Sequence, residues 1–408
     1  MSHELTLIST IAVSLGYALI GGFVTARIGL SPIVGYLLAG IVVGPFTPGF
    51  VADTHLAGQL AEIGVILLMF GVGLHFSFSD LLAVWHVAVP GALVQIAAAT
   101  ALGAGMMWGW GWPPGAALVF GLALSVASTV VLLRALGDKG ALDSTEGRIA
   151  VGWLIVEDMA MVVTLVLLPA LAPPLGGAPA AGGHGPPSGD LAMTLAITLG
   201  KVAAFVALML IVGARVLPWI LNEVARTESR DLFTLAVVAV AIAVAFGAAE
   251  LFGVSFALGA FFSGVVINES KHGHRAMEEL QPLSDIFAVL FFVSVGMLFD
   301  PHILVVEPLK VLATLAVIIV GKFLAALLIA LAFRQPLATA LGISASLAQI
   351  GEFSFILAAL AVSLKIMPEE GRSLVLAGAL ISITLNPLLS RFIGLVQKRL
   401  DAAQPADA

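Results

Sequence analysis

From residue 7 to residue 396 the chain is a near-continuous succession of apolar runs, separated by little more than a glycine, a proline or a charge. Water cannot solvate the surface such runs present. Charged residues make up 11% of the chain, against roughly 25% in soluble domains, and the mean hydropathy is +1.11. A bilayer can solvate it, and at about 20 apolar residues per crossing the 408 residues predict about 13 helices. The runs are unbroken rather than alternating, which argues against an outer-membrane barrel. The expected fold is therefore an all-α polytopic membrane protein, with helices over 7–26, 32–45, 57–75, 81–107, 116–136, 147–171, 191–221, 231–250, 254–268, 283–299, 304–333, 337–363 and 371–396.

The distribution of basic residues tests that count, because cytoplasmic connections carry an excess of Lys and Arg. With the N-terminus outside and the C-terminus inside, Arg27, Arg134, Lys139, Arg148, Arg226, Arg230, Lys271, Arg275, Arg334, Arg391, Lys398 and Arg399 all fall on inner connections. Outer loops keep only Lys365 and Arg372, with Lys310 near that side. The Pro/Gly-rich stretch 172–190 contains neither residue and reads as a flexible outer loop. Eighteen Lys and Arg against 25 Asp and Glu, with no basic tract, exclude a nucleic-acid partner. The absence of cysteine removes disulfides and thiolate chemistry, and no HExxH, P-loop, GxSxG or GxGxxG signature is present. The expectation is a transporter rather than an enzyme, working without a cofactor.

The chain also repeats itself. PIVGYLLAGIVVGP at 32–45 resembles VSFALGAFFSGVVIN at 254–268, matching Gly35 and Gly40 to Gly259 and Gly264. LAEIGVILLMFGVGL at 60–74 resembles LSDIFAVLFFVSVGM at 283–297, matching Glu62 to Asp285 and Gly73 to Gly296. GLALSVAST at 121–129 lines up with ALGISASLA at 340–348, which sets Ser125 opposite Ser344. The copies begin seven helices apart, an odd number, so the second is upside-down relative to the first. Inverted repeats of this kind are a transporter signature, with the substrate site near midplane between the copies. The expected division is a first repeat over 1–175, the outer loop 176–190, a linker helix over 191–230, a second repeat over 231–398 and a cytosolic tail over 399–408.

Two segments suit helices that unwind midway. Ser125, Ser128 and Thr129 cluster in one span; Ser344, Ser346, Gln349 and Glu352 lie in its repeat partner. Small and hydroxylated residues can satisfy backbone groups freed inside a membrane, and crossed half-helices bring their charged ends together.

Ionisable residues at midplane cost about 3 kcal/mol each on insertion scales. Glu157 and Asp158 lie in the middle of GWLIVEDMAMVV, and Lys322 in the middle of VIIVGKFLAALL. Consecutive helical residues point about 100° apart, so the two acids serve different neighbours. Asp158 is assigned to the ion, and Glu157 to its flank or to Lys322. One lysine cannot neutralise both acids, and the excess negative site is what a cation or proton fills. Other charges weigh less. Glu62 and Asp285 are expected in the first turns of their helices, where the dipole favours an acid. Glu250 and Lys201 fall near interfaces, His272 and His274 in a charged inner loop, and Trp108, Trp110 and Trp112 in an aromatic belt.

The stretches SPIVGYLLAGIVVGPFTPGFVADT, LAEIGVILLMFGVGLHFS, STVVLLRAL, GWLIVEDMAMV, VSFALGAFFSGVVINES, FFVSVGMLFD and SLAQIGEFSFILA resemble Kef-type members of the monovalent cation:proton antiporter-2 family. The resemblance implies a sodium/proton-antiporter-like fold of thirteen helices in two inverted six-helix repeats. Helices 1–3 and 8–10 would form a homodimerising scaffold, and helices 4–6 and 11–13 a core that moves as an elevator. Asp158 matches the family's ion-binding aspartate, Glu157 the residue before it, Lys322 the core lysine, and Thr129 with 344–352 the crossing segments. Two departures stand out. Glutathione-gated potassium efflux members carry Gln where this chain has Glu157, and Kef-type proteins usually continue into a cytosolic nucleotide-binding regulatory domain, for which there is no room before Ala408. That domain is expected to be missing or separate.

The expected function is antiport of a monovalent cation, K⁺ ahead of Na⁺, against H⁺ across a bacterial inner membrane. Asp158, Glu157, Thr129 and Ser128 would form the ion site, with Lys322 and Glu352 compensating charge. The alternative is a ligand-gated K⁺ efflux channel using the same acids.

Overall fold

The computed structural model describes residues 3–48, 52–75, 78–138, 140–142, 144–178 and 191–403. Among them there are helices and no strands. They are α1 (His3–Arg27), α2 (Pro32–Val43), α3 (Thr54–His75), α4 (Phe78–Gly109), α5 (Pro114–Ser125), α6 (Thr129–Asp138), α7 (Thr145–Leu171), α8 (Leu191–Leu208), α9 (Ala214–Ala225), α10 (Arg230–Phe252), α11 (Phe256–Asn268) and α12 (Gly273–Met297). The rest are α13 (Ile303–Val306), α14 (Pro308–Leu315), α15 (Lys322–Ala332), α16 (Leu337–Leu347), α17 (Glu352–Ser363) and α18 (Glu369–Ala403). Wider π-helical turns join α8 to α9 and α14 to α15 without breaking either rod.

Nine helices among the described residues are long and apolar enough to cross a membrane. The pair α16 and α17, bent by 42° at its break, makes a tenth. The apolar segments Pro32–Val43, Pro114–Ala123 and Phe256–Asn268 are shorter than a crossing requires alone, and the count of thirteen is reached only by including them. Large apolar side chains such as Leu19, Phe23, Leu235, Leu251, Val305 and Leu328 face outward, as a lipid-solvated surface demands.

The helices sort into two bodies. One is α1–α3 with α10–α12; the other is α4–α7 with α14–α18, and α8–α9 runs between them. Backbone contact at glycine holds the first body together. A Cβ on Gly40 would lie 2.1 Å from the carbonyl oxygen of Val293 and 2.8 Å from Cα of Gly296, so α2 and α12 touch main chain to main chain. At Gly264 of α11 a Cβ would lie 2.2 Å from the carbonyl oxygen of Phe70 and 3.0 Å from Cα of Gly73 on α3. Small residues at membrane helix crossings permit this closeness. The repeat alignment pairs Gly40 with Gly264 and Gly73 with Gly296, so it converts one crossing into the other. The same alignment pairs the caps. Ser31 accepts the amide of Ile33 at the start of α2, and Ser255 accepts that of Leu258 at the start of α11.

Several expected boundaries move. α12 starts at Gly273 rather than 283, so His274 sits in a helix beside Glu278 instead of in a loop. His272 precedes that helix and stacks edge-on against Phe233. Glu62 and Asp285 consequently lie beyond the first turns of α3 and α12, outside the reach of the end dipole; Asp285 instead accepts from Gln281 at 3.0 Å. α18 runs to Ala403, past the expected tail boundary at 399, and 404–408 lie outside the described residues, as do 179–190 of the expected outer loop. Trp108 is exposed as a belt residue should be, whereas Trp112 is packed against Phe120. Near the end of α18, Gln397 donates to Glu146 Oε2 at 3.1 Å and to the Ala338 carbonyl at 2.7 Å, tying that helix to the starts of α7 and α16.

The glycine crossings make a direct prediction. Gly40→Leu or Gly264→Leu should lower stability in detergent by about 1–3 kcal/mol or more, the usual cost of overpacking, read as a drop in melting temperature. Gly16→Ala, where no atom lies within 4 Å of the added carbon, should leave the melting temperature unchanged or raise it.

Candidate ion site at the helix crossing

α5 stops at Ser125 and α6 resumes at Thr129; α16 stops at Leu347 and α17 resumes at Glu352. The two gaps cross in the interior. A Cβ on Gly351 would lie 2.5 Å from Cα of Ser128, so only glycine allows the chains this close. Thr129 and Glu352, the first residues of the resumed helices, are separated by the same spacing as Glu62 and Asp285. On that register Ser125 corresponds to Ala348. The expected pairing with Ser344 is therefore displaced by one helical turn. Ser344 and Ser346 lie inside α16, donating to the carbonyls of Ala340 and Gly342; Ser125 is the last residue of α5, and of these four residues only Gln349 lies within a gap.

Unwinding frees peptide groups that lipid and an apolar core cannot satisfy, and several of them have specific partners. The Gly351 amide donates to the Val126 carbonyl at 3.3 Å. The Ser128 amide donates to Gln349 Oε1 at 2.9 Å, and Gln349 Nε2 returns to the Ser128 carbonyl at 3.2 Å. The Ala127 amide donates to Glu157 Oε2 at 2.8 Å, and Gln95 Nε2 reaches the Ser125 carbonyl at 3.3 Å. Lys322 Nζ donates to the Gln349 carbonyl at 2.8 Å, and Asn386 Nδ2 to the Ala345 carbonyl at 3.0 Å. Gln95 and Asn386 were not among the residues expected from the sequence. An uncharged amide in the middle of an apolar run, as in ALVQIAAAT and SITLNPLL, is the signal that marks them.

Three carboxylates converge here. Glu157 is fully buried, and Lys322, also fully buried, is its electrostatic partner. No ion pair within 4.0 Å joins them, so they compensate across a gap. Asp158 accepts from Thr129 Oγ1 at 3.0 Å. Glu352 accepts from Ser128 Oγ at 3.1 Å. Adjacent acids on α7 thus turn to different neighbours, Glu157 to the Ala127 amide and Lys322, Asp158 to Thr129. Asp158 Oδ1, Glu157 Oε1 and Glu352 Oε1 are buried with no hydrogen-bond partner.

Between the two bodies lies a cleft of about 1200 Å³, walled by Gly29 and Ser31 on one side and by Val131, Glu146, Asn386 and Arg391 on the other. Its lining includes the end of α1 and the second half of α18. Asp158 is not among its walls and is 4% exposed.

The Glu157–Lys322 relation is testable by stability. Glu157→Gln leaves the lysine charge buried without its acid and should cost ~3–5 kcal/mol, seen as a lowered melting temperature. Adding Lys322→Met should recover most of that loss. No recovery would mean that the two residues are energetically independent.

The chain is 59% identical over 389 residues to YbaL of Escherichia coli (strain K12), whose name proposes a cation/proton antiporter; the match covers 95% of this chain and 69% of that protein. It is 33% identical over 392 residues to K(+) efflux antiporter 4 of Arabidopsis thaliana, spanning 96% of this chain and 64% of the relative. The sodium proton antiporter MjNhaP1 from Methanocaldococcus jannaschii superposes with a TM-score of 0.74 over 98% of this chain and 99% of that one. At 15% identity that is a likeness of fold alone. Residues 14–393 match the family described as sodium/hydrogen exchanger, transmembrane, and the chain belongs to that family.

Proposed function

We propose that the chain is a secondary antiporter that exchanges a monovalent cation for H⁺, with Asp158 as the shared binding group. The observation that carries this reading is a buried carboxylate with an unpartnered oxygen at the crossing of two broken helices. An empty, ionised carboxylate of this kind is too costly to carry through an apolar interior. A proton or a cation on Oδ1 removes that charge, so only the occupied carrier moves. Because both cargoes compete for one group, flux of one drives the opposite flux of the other.

The remaining residues hold that group in place. Thr129 orients Asp158, Ser128 and Gln349 fasten the crossing, and Lys322 with Glu157 forms a compensated pair that travels with it. Glu352 offsets the positive end of α17. K⁺ is the first candidate ion, as the name of the plant relative supports, and Na⁺ the second. No cofactor beyond the transported ions enters this reading.

Alternating access would be a movement of α4–α7 and α14–α18 against α1–α3 and α10–α12, with the cleft of about 1200 Å³ as the open route in the present state. Counting the three shorter apolar segments as crossings gives thirteen helices, N-terminus outside, with the C-terminus and the cleft facing the cytosol as the basic residues direct. The glycine and serine correspondences support a division into repeats over 1–175 and 231–398, joined by a linker helix. The membrane is then a bacterial inner membrane, and the exposed apolar faces of α1–α3 and α10–α12 supply the homodimer surface. A cytosolic regulatory domain would act from the end of α18.

Purified protein in liposomes loaded with a pH-sensitive dye tests the proposal. Addition of K⁺ or Na⁺ should drive proton movement in the wild type, and Asp158→Asn should abolish it while preserving the elution profile and melting curve. Undiminished exchange in that variant would remove Asp158 from the mechanism. Cation flux without proton movement in the wild type would identify a channel.

A further inference from the structure

The three carboxylates at the crossing are not equivalent, and their partners divide them. Glu157 spends one oxygen on the Ala127 amide and faces the only lysine at the site among the described residues. Asp158 and Glu352 face no cation among the described residues. Each accepts one hydroxyl, from Thr129 and Ser128, which are consecutive in the chain. Each keeps one buried oxygen without a partner, on residues only 4% and 2% exposed. Asp158 and Glu352 are thus two carboxylates held in the buried interior against consecutive hydroxyls. Like charges held this way in an apolar interior call for a positive charge between them.

The donor chemistry fits an alkali cation. A serine or threonine hydroxyl that donates its proton to a carboxylate still presents lone pairs, so Thr129 Oγ1 and Ser128 Oγ remain acceptors. With Asp158 Oδ1 and Glu352 Oε1 they make a set of hard oxygens, the type of ligand that hard cations take. α6 begins at Thr129 and α17 at Glu352, so the partial positive charge of two helix starts offsets the negative charge a monovalent ion leaves over.

We infer that Glu352 is a second carboxylate ligand of the transported cation, which it holds together with Asp158 across the Ser128–Thr129 pair, while Glu157 serves Lys322. This rests on the reading that Asp158 carries the ion. It gives Glu352 direct contact with the cargo, in place of a role confined to the start of α17.

The test uses the whole chain, with half-saturation for K⁺ and Na⁺ measured from proton movement in liposomes. In parallel, the rise in melting temperature that each ion produces over choline is measured in detergent. Glu352→Gln keeps an acceptor for Ser128 but loses the charge. It should raise the half-saturating concentration at least tenfold and abolish the ion-dependent rise. Wild-type values in both measurements, with exchange still lost in Asp158→Asn, would overturn the second ligand and leave the antiport reading standing. Exchange retained in Asp158→Asn would overturn both. Should Glu352→Gln fail to fold, Glu352→Asp retains the charge and withdraws it by one methylene. A changed ranking of K⁺ and Na⁺ supports the contact, and an unchanged half-saturation and ranking refutes it. Glu62→Gln on α3 is the control, and a shift there as large as that of Glu352→Gln would also refute it.

Discussion

A peptide group inside a membrane protein has no water to fall back on, and the molecule is arranged around satisfying those that two interrupted helices release. The Gln349 side chain pairs with both the amide and the carbonyl of Ser128, closing a two-bond contact between chain segments far apart in sequence. Gly351 lets them approach, and Lys322 and Glu157 secure a carbonyl and an amide at the flanks. Without that closure neither gap could stay unwound, and no helix start would point at Asp158 or Glu352. The acidic centre is thus a product of backbone accounting as much as of side-chain chemistry.

The two bodies solve different problems. Where α2 meets α12 and α3 meets α11, glycine removes the side chains and the main chains lock, which suits a part that must stay rigid. The other body carries every buried charge of the crossing and buries amides and hydroxyls among its helices. Contacts between the bodies are sparse compared with those inside each, and the cleft runs along that seam. Rigidity within and weak adhesion between are what relative movement of two packed units requires.

Much of this was legible from residue order. The 100° separation of adjacent helical residues dictated that Glu157 and Asp158 serve different neighbours, and they do. The glycine pairs of the repeat marked the positions where helices cross. Legibility failed where residues carry little positional information. Gly/Ala/Ser-rich stretches such as GLALSVAST and ALGISASLA match almost as well one turn apart, which is how Ser344 was set opposite Ser125. The start of α12 and the end of α18 differ from the sequence expectation for another reason. Hydropathy reports where a helix leaves lipid, whereas these helices continue into a charged region held by contacts such as Arg230 with Glu279. Gln95 and Asn386 carry no charge to mark them in the sequence, and the freed carbonyls need only neutral donors.

The cleft has an electrical consequence. A wide opening continuous with bulk solution carries the bulk potential to its floor, here as deep as Val131 and Asn386. On the proposed orientation the transmembrane voltage, worth about 2.3 kcal/mol per elementary charge per 100 mV, would then fall across the protein beyond that floor rather than across the full bilayer. An ion entering by the cleft in the proposed cycle would do almost no electrical work. In the proposed exchange the voltage would act instead on the step in which the body holding Asp158 moves, so any dependence of turnover on membrane potential would report the net charge that body carries.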